Sequence, residues 1–171
     1  MKNILKNRLA LSTVVTTLII LVVSVLLAGV VTYFAINVTS TRVQEEALTL
    51  SYQHIWVDNT GAAVGAIMIT NTGGRDVVIS KITVRGQECT TLFADPAQSP
   101  TTDIAYAAAP ADPYKAVTGS IVLPSGSTVG VMMTTPDSVG LNDIGLTVAF
   151  TVFTSQAMYY KETNVQAAPT A

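Results

Sequence analysis

His54 is the only histidine in the chain and Cys89 the only cysteine. A multi-histidine metal site and a cysteine-built zinc site are therefore excluded, and a catalytic triad would have to be assembled around His54 alone. His54 stands near Trp56 on a predicted strand, which favours a surface or edge role over catalysis. The carboxylates Asp58, Asp76, Asp95, Asp103, Asp112, Asp137 and Asp143 are scattered at turns. Asp95, Asp103 and Asp112 share one loop and could hold a calcium ion together; solvated turn carboxylates are the simpler reading. No D-x-D-x-D-G calcium loop, G-x-S-x-G elbow or phosphate-binding loop is present. Tyr159, Tyr160 and Trp56 are candidates for a sticky surface or, more simply, for core and cross-strand pairing. With one cysteine no intramolecular disulfide can form, and Cys89 is predicted to be a small buried hydrophobe. The remaining chemical handle is Asn37-Val38-Thr39, the only N-x-S/T sequon. The residues assemble no reaction: neither an enzyme nor a cofactor or metal is expected.

The elements that carry these residues are set by hydropathy. The chain has 171 residues, 49% hydrophobic and only 12% charged, with a mean hydropathy of +0.47. Charged residues usually make up about a quarter of a soluble domain. The imbalance sits at the N-terminus, where no charged residue occurs between Arg8 and Arg42. As a helix, Val14 to Ile36 would be about 35 Å long, enough to cross a hydrocarbon core of about 30 Å. Lys2, Lys6 and Arg8 precede this run, so the positive-inside rule keeps the first residues cytoplasmic and sends everything after Asn37 outside. A net charge of −2, with no basic patch, predicts no nucleic-acid partner.

Three readings compete for residues 1–40. A secretory signal peptide needs a shorter apolar core and a small-x-small exit; here the run passes through Ala28, with bulky Leu26 two residues before it, and continues to Ile36. A plain membrane anchor fits the length and the flanking charges. The third reading rests on order, because MKNILKNRLA is followed at once by LSTVVTTLIILVVSVLLAGVV. This arrangement resembles the leader of archaeal type IV pilins and archaellins. The resemblance implies cleavage by a prepilin peptidase at Ala10–Leu11, leaving the apolar segment on the mature protein. Ala10 would be the small residue before the cut, with Lys6 and Arg8 upstream. Leu9 departs from the family, which places Lys or Arg there. Val15 stands at the fifth mature position, where bacterial pilins carry glutamate and the archaeal branch typically does not.

The same helix carries a seam. At about 100° per residue, Thr13, Thr17, Ser24, Ala28 and Ala35 fall within roughly 60° of one another. Small residues on one face let helix backbones approach closely, so the seam is the candidate packing face in a filament. Asn37 sits where the helix would leave the membrane, as a candidate glycosylation site on the translocated side.

Beyond the helix, the runs ALTLSYQHIWV, AVGAIMIT, DVVISKITV, AVTGSIVL, STVGVMMTT and IGLTVAFTVFT read as short strands. They are separated by turn signals such as Asp58-Asn59-Thr60-Gly61, Asn71-Thr72-Gly73-Gly74, Arg85-Gly86 and Pro124-Ser125-Gly126. Alternation predicts that Leu48, Leu50 and Tyr52 share a face, and likewise Leu146, Val148, Phe150 and Val152. Residues 94–115 read as a long loop, with a minor strand at Ile104–Ala107 the most it would hold. The expected fold is α+β: a long hydrophobic N-terminal helix, then an all-β, immunoglobulin-like antiparallel sandwich. The expected domains are a leader (1–10), an assembly or transmembrane helix (11–46), an extracellular head (47–165) and a flexible tail (166–171).

With the family resemblance, this layout implies a structural subunit of an extracellular archaeal type IV pilus-like filament, with the helices packed in its core and the β heads on its surface, serving adhesion. Its partners would be identical subunits, the prepilin peptidase and the pilus assembly machinery. It would occupy the cell membrane as a precursor and the cell surface once assembled. The alternative is an uncleaved single-pass membrane protein displaying an immunoglobulin-like binding domain.

Overall fold

No proline and one glycine, Gly29, occur between Lys2 and Val43, so nothing local ends a helix once it has started. In the computed structural model that stretch is a single helix, α1 (Lys2–Val43). The structure describes residues 2–43, 45–95, 103–134 and 136–169, in two units that meet in sequence between Val43 and Gln44. Within α1, Leu11–Ser40 is a 30-residue apolar stretch with no buried residue, and an 18-residue window in it reaches a mean hydropathy of 2.9. By length and composition it can serve as a membrane anchor or a signal sequence. Four of its hydroxyls are turned back on the helix. Thr16 donates to Ser12 O at 2.9 Å, Thr17 to Val14 O at 2.9 Å, Ser24 to Leu21 O at 2.8 Å and Thr32 to Ala28 O at 2.8 Å. Hydroxyls satisfied in this way add little polar surface to an otherwise apolar cylinder.

The helix stops at Val43, short of the predicted Glu46. Carboxylates at a helix C-terminus oppose its dipole, and the backbone of residues 45–47 is engaged elsewhere. Glu45 O accepts from Gly74 N at 3.3 Å, and Ala47 O accepts from Thr72 N at 2.9 Å and Gly73 N at 3.1 Å. Gly73 permits this approach, since a Cβ there would lie 2.6 Å from Glu45 O and 2.7 Å from Ala47 N. Residues 45–47 therefore belong to the head.

The head contains β1 (Leu48–Val57), β2 (Ala63–Asn71), β3 (Val77–Val84), β4 (Gln87–Glu88), β5 (Leu92–Ala94), β6 (Lys115–Ala116), β7 (Ile121–Leu123), β8 (Thr128–Met133), β9 (Thr147–Thr154) and β10 (Met158–Ala167). Their order is β4-β3-β9-β10-β1-β2-β8-β5-β6, with β7 also on β3. Five of the six predicted runs each hold one strand, whereas the run 116–123 is split between the end of β6 and β7. Arg85-Gly86 joins β3 to β4 with φ of 54° and 83°, the pair of left-handed residues that a two-residue hairpin turn with the right twist requires.

One departure from the expected antiparallel head is the seam at β10. Its first part pairs antiparallel with β9, Met158 opposite Phe153 through Asn164 opposite Thr147. Its last part pairs parallel with β1, Ile55 opposite Val165 through Val57 opposite Ala167. Ala168 N then donates to Val57 O at 2.8 Å, so Gln166 and Ala167, predicted to lie in a flexible tail, are strand residues. Residues 170–171 lie outside the described residues.

The main core draws on both halves of this strand order. Ile55, Ile67, Ile69 and Met133 from one half pack with Ile79, Ile82, Phe150 and Val152 from the other. A Cβ at Gly65 on β2 would lie 2.8 Å from Met133 Cγ and 3.4 Å from Phe150 Cζ, so the glycine makes room for the Met133 side chain, with the Phe150 ring close by across the core. Asn71 is fully buried yet satisfied. Its Nδ2 donates to Arg75 O at 2.8 Å and Leu123 O at 3.1 Å, and its Oδ1 accepts from Gly73 N at 3.0 Å.

Two alternation patterns fail at their ends. The β1–β2 register shifts between Ser51 and His54, and Tyr52 sits there at φ 49°. The irregularity turns Tyr52 outward, 50% exposed, while Leu48 and Leu50 stay buried. Leu146 precedes β9 and is exposed, whereas Val148, Phe150 and Val152 face the core as expected.

Candidate functional site

On α1, the seam residues Thr13, Thr17, Ser24, Ala28 and Ala35 are all exposed. Thr17 and Ser24 spend their hydroxyls on the helix's own carbonyls, leaving a face of small side chains without outward polar demand. The Ala10–Leu11 bond lies inside α1. Asn37 is helical as well, with Nδ2 donating to Tyr33 O at 3.0 Å.

On the head, the residues singled out for chemistry are distributed into structural roles. His54 stacks on Trp56, with ring centroids 5.0 Å apart at 14°, and Trp56 meets Tyr106 edge-on at 5.7 Å. His54 Nε2 donates to the Asp103 carboxylate, 3.1 Å from both oxygens. These groups fasten part of the long loop over a second apolar cluster of Trp56, Val64, Ala66, Ile104 and Met132. Ile104 is buried there as loop rather than in the minor strand expected at Ile104–Ala107. Side-chain packing on Trp56 replaces backbone pairing as what holds the segment. Residues 96–102 of that loop lie outside the described residues.

Asp95, Asp103 and Asp112 are not brought together as a calcium site. Among the described residues no group of three His, Cys, Asp or Glu could hold a metal ion. Asp95 is buried, and Tyr114 nearby has its phenol pushed up, by burial first and by Asp95 second. Asp58 organises its turn. Its Oδ1 accepts from Thr60 Oγ1 at 2.7 Å, Thr60 N at 2.8 Å and Ala62 N at 2.9 Å, and these bonds, Thr60 Oγ1 foremost, hold its carboxyl below the usual value. Asp143 is lowered too, by the Gly140 N–H first and by Arg85 at 2.8 Å. Tyr159 lies half-buried against the core and donates to Glu46 O at 3.2 Å. Tyr160 is exposed and donates to the Glu162 carboxylate. A cavity of about 580 Å³ opens among Val57, Asp58, Asn59, Tyr106, Leu141 and Ile144. It was not legible in the sequence, because its walls come from separate connections.

Cys89 is buried in the main core and unpaired, in the role expected of it. Burial pushes its thiol up to about 12, from an ordinary 9.0. Between those two values the unfolded thiol ionises and the folded one does not. The unfolded state then binds fewer protons, so stability falls as pH rises through this window. Native protein held within it should resist iodoacetamide, while urea-unfolded protein reacts quickly at the same pH. Mass spectrometry of the alkylated chain is the check; rapid labelling of native protein would mean that Cys89 is accessible.

No protein-family model matches the chain, and no curated protein matches it. Among solved structures, a crystal structure of β-glucosidase from Listeria innocua in complex with glucose aligns at 12% identity and a TM-score of 0.27. The alignment covers 72% of this chain and 16% of that one. A likeness of that size carries nothing about fold or activity, and the chain stands on its own residues.

Proposed function

We propose that the chain is the precursor of a structural subunit of an archaeal type IV pilus-like filament, without enzymatic activity. The carrying observation is α1: a long helix that opens with the basic residues Lys2, Lys6 and Arg8, continues as an apolar stretch in which hydroxyls bond to the helix's own backbone, and is followed in sequence by a β-rich head. In this reading a prepilin peptidase cuts Ala10–Leu11, and the apolar helices then pack among their copies in place of lipid. Close approach along the small-residue seam drives assembly, multiplied through a repeating interface that does not close. The heads, read as immunoglobulin-like two-layered sandwiches whose layers meet at β10, form the adhesive outer surface.

Mass spectrometry of the cell-surface form tests this. The expected mature chain begins at Leu11, and Ala10→Leu should leave the full precursor in the membrane. An intact N-terminus on surface protein would point instead to a single-pass anchor, and a start near Gly29 to ordinary secretion.

A further inference from the structure

Tension applied through α1 enters the head at β1, because residues 45–47 are bonded into the head and lead straight into Leu48. β1 is an interior strand, antiparallel to β2 along most of its length and parallel to the last part of β10. Because β1 and β10 run the same way, pulling the start of β1 against the end of β10 slides the two strands along each other. All bonds of the seam are then strained together, whereas peeling a hairpin breaks its bonds one after another.

The seam is longer than its three backbone register pairs. Where the irregularity interrupts β1, Gln53 Nε2 donates to Glu162 O at 3.2 Å and Thr163 Oγ1 donates to Gln53 O at 2.8 Å. At the far end, Ala168 N closes on Val57 O at 2.8 Å. Val165, in the middle, is anchored in the core at 2% exposure. We propose that the β1–β10 seam is a shear clamp that makes the head resist tension between its junction with α1 and the C-terminal end of β10. The inference depends on the head alone, and it stands whether α1 packs among copies or stays in lipid.

The experiment pulls the full chain in detergent micelles by optical tweezers, with DNA handles on introduced cysteines. One form carries Glu45→Cys and Pro169→Cys; the other carries Glu45→Cys and Gln156→Cys. All three positions are exposed, and buried Cys89 stays out of the coupling. The 45/169 pair shears the seam. The 45/156 pair pulls at one end of the two parallel strands, where Glu46 meets Tyr159, and unzips the seam one bond after another.

The unfolding force is expected to be higher for 45/169 by at least about twofold, since forced unfolding reports the barrier rather than the equilibrium stability. Adding Thr163→Val and Ala168→Pro removes two of the seam donors. This should lower the 45/169 force by a larger factor than the 45/156 force, since shear loads all the seam bonds together. Equal or reversed forces in the two geometries overturn the clamp, and this comparison requires no substitution within the seam.

Discussion

Phe150→Ala is expected to destabilise the head by about 3–5 kcal/mol, the range for deleting a buried aromatic ring. Phe150 is 0% exposed and lies in the largest core cluster. Its strand places it opposite Val84 of β3 and Lys161 of β10, and its ring reaches across the core toward Gly65 of β2. Removing it therefore opens a cavity between the two halves of the strand order rather than at a margin that could collapse. Tyr160→Ala is the companion, because Tyr160 is 59% exposed and should change stability by no more than about 0.5 kcal/mol. Urea unfolding of the full chain in micelles, followed by Trp56 fluorescence, measures both. Similar losses for the two variants would mean that the core is not centred on Phe150.

Ala28→Phe is expected to reduce surface filaments by at least about tenfold, while Ile19→Phe leaves their number near that of the parent. A bulky ring on a small-residue face keeps helix backbones from approaching closely, and a factor of ten needs only about 1.4 kcal/mol. A contact repeated at every subunit multiplies the loss. Ala28 lies on the small-residue seam, whereas Ile19 lies about 180° around α1 and already presents a large side chain. Both changes keep the segment apolar, so insertion and leader processing should survive them. Electron microscopy of cells with matched membrane levels counts the filaments. Equal numbers would remove the seam as the packing face. A parent chain that never appears in filaments would favour the single-pass reading.

What the sequence by itself determined is what short-range physics controls. A charge-free run longer than a bilayer is wide has one conformation that satisfies its own backbone, so α1 was legible from hydropathy alone. The turns at Asp58–Gly61 and Arg85-Gly86 were legible because their residue types favour bends and, at Gly61 and Gly86, positive φ. Cys89 as a buried hydrophobe followed from composition.

Only the tertiary structure decided the rest. β10 was invisible as a strand because, of MYYKETNVQA, Val165 alone is buried; backbone bonds to β9 and β1 hold it, and any side chains could accompany them. The outward turn of Tyr52 depends on a register shift set against β2. Asp95 looked like a solvated turn carboxylate, yet it is buried. The loop around Ile104 carries no strand signal because its order comes from packing on Trp56, and His54 holds Asp103 across 49 residues of chain. Each of these turns on a partner distant in sequence, and no local preference encodes which partner the folded chain will supply.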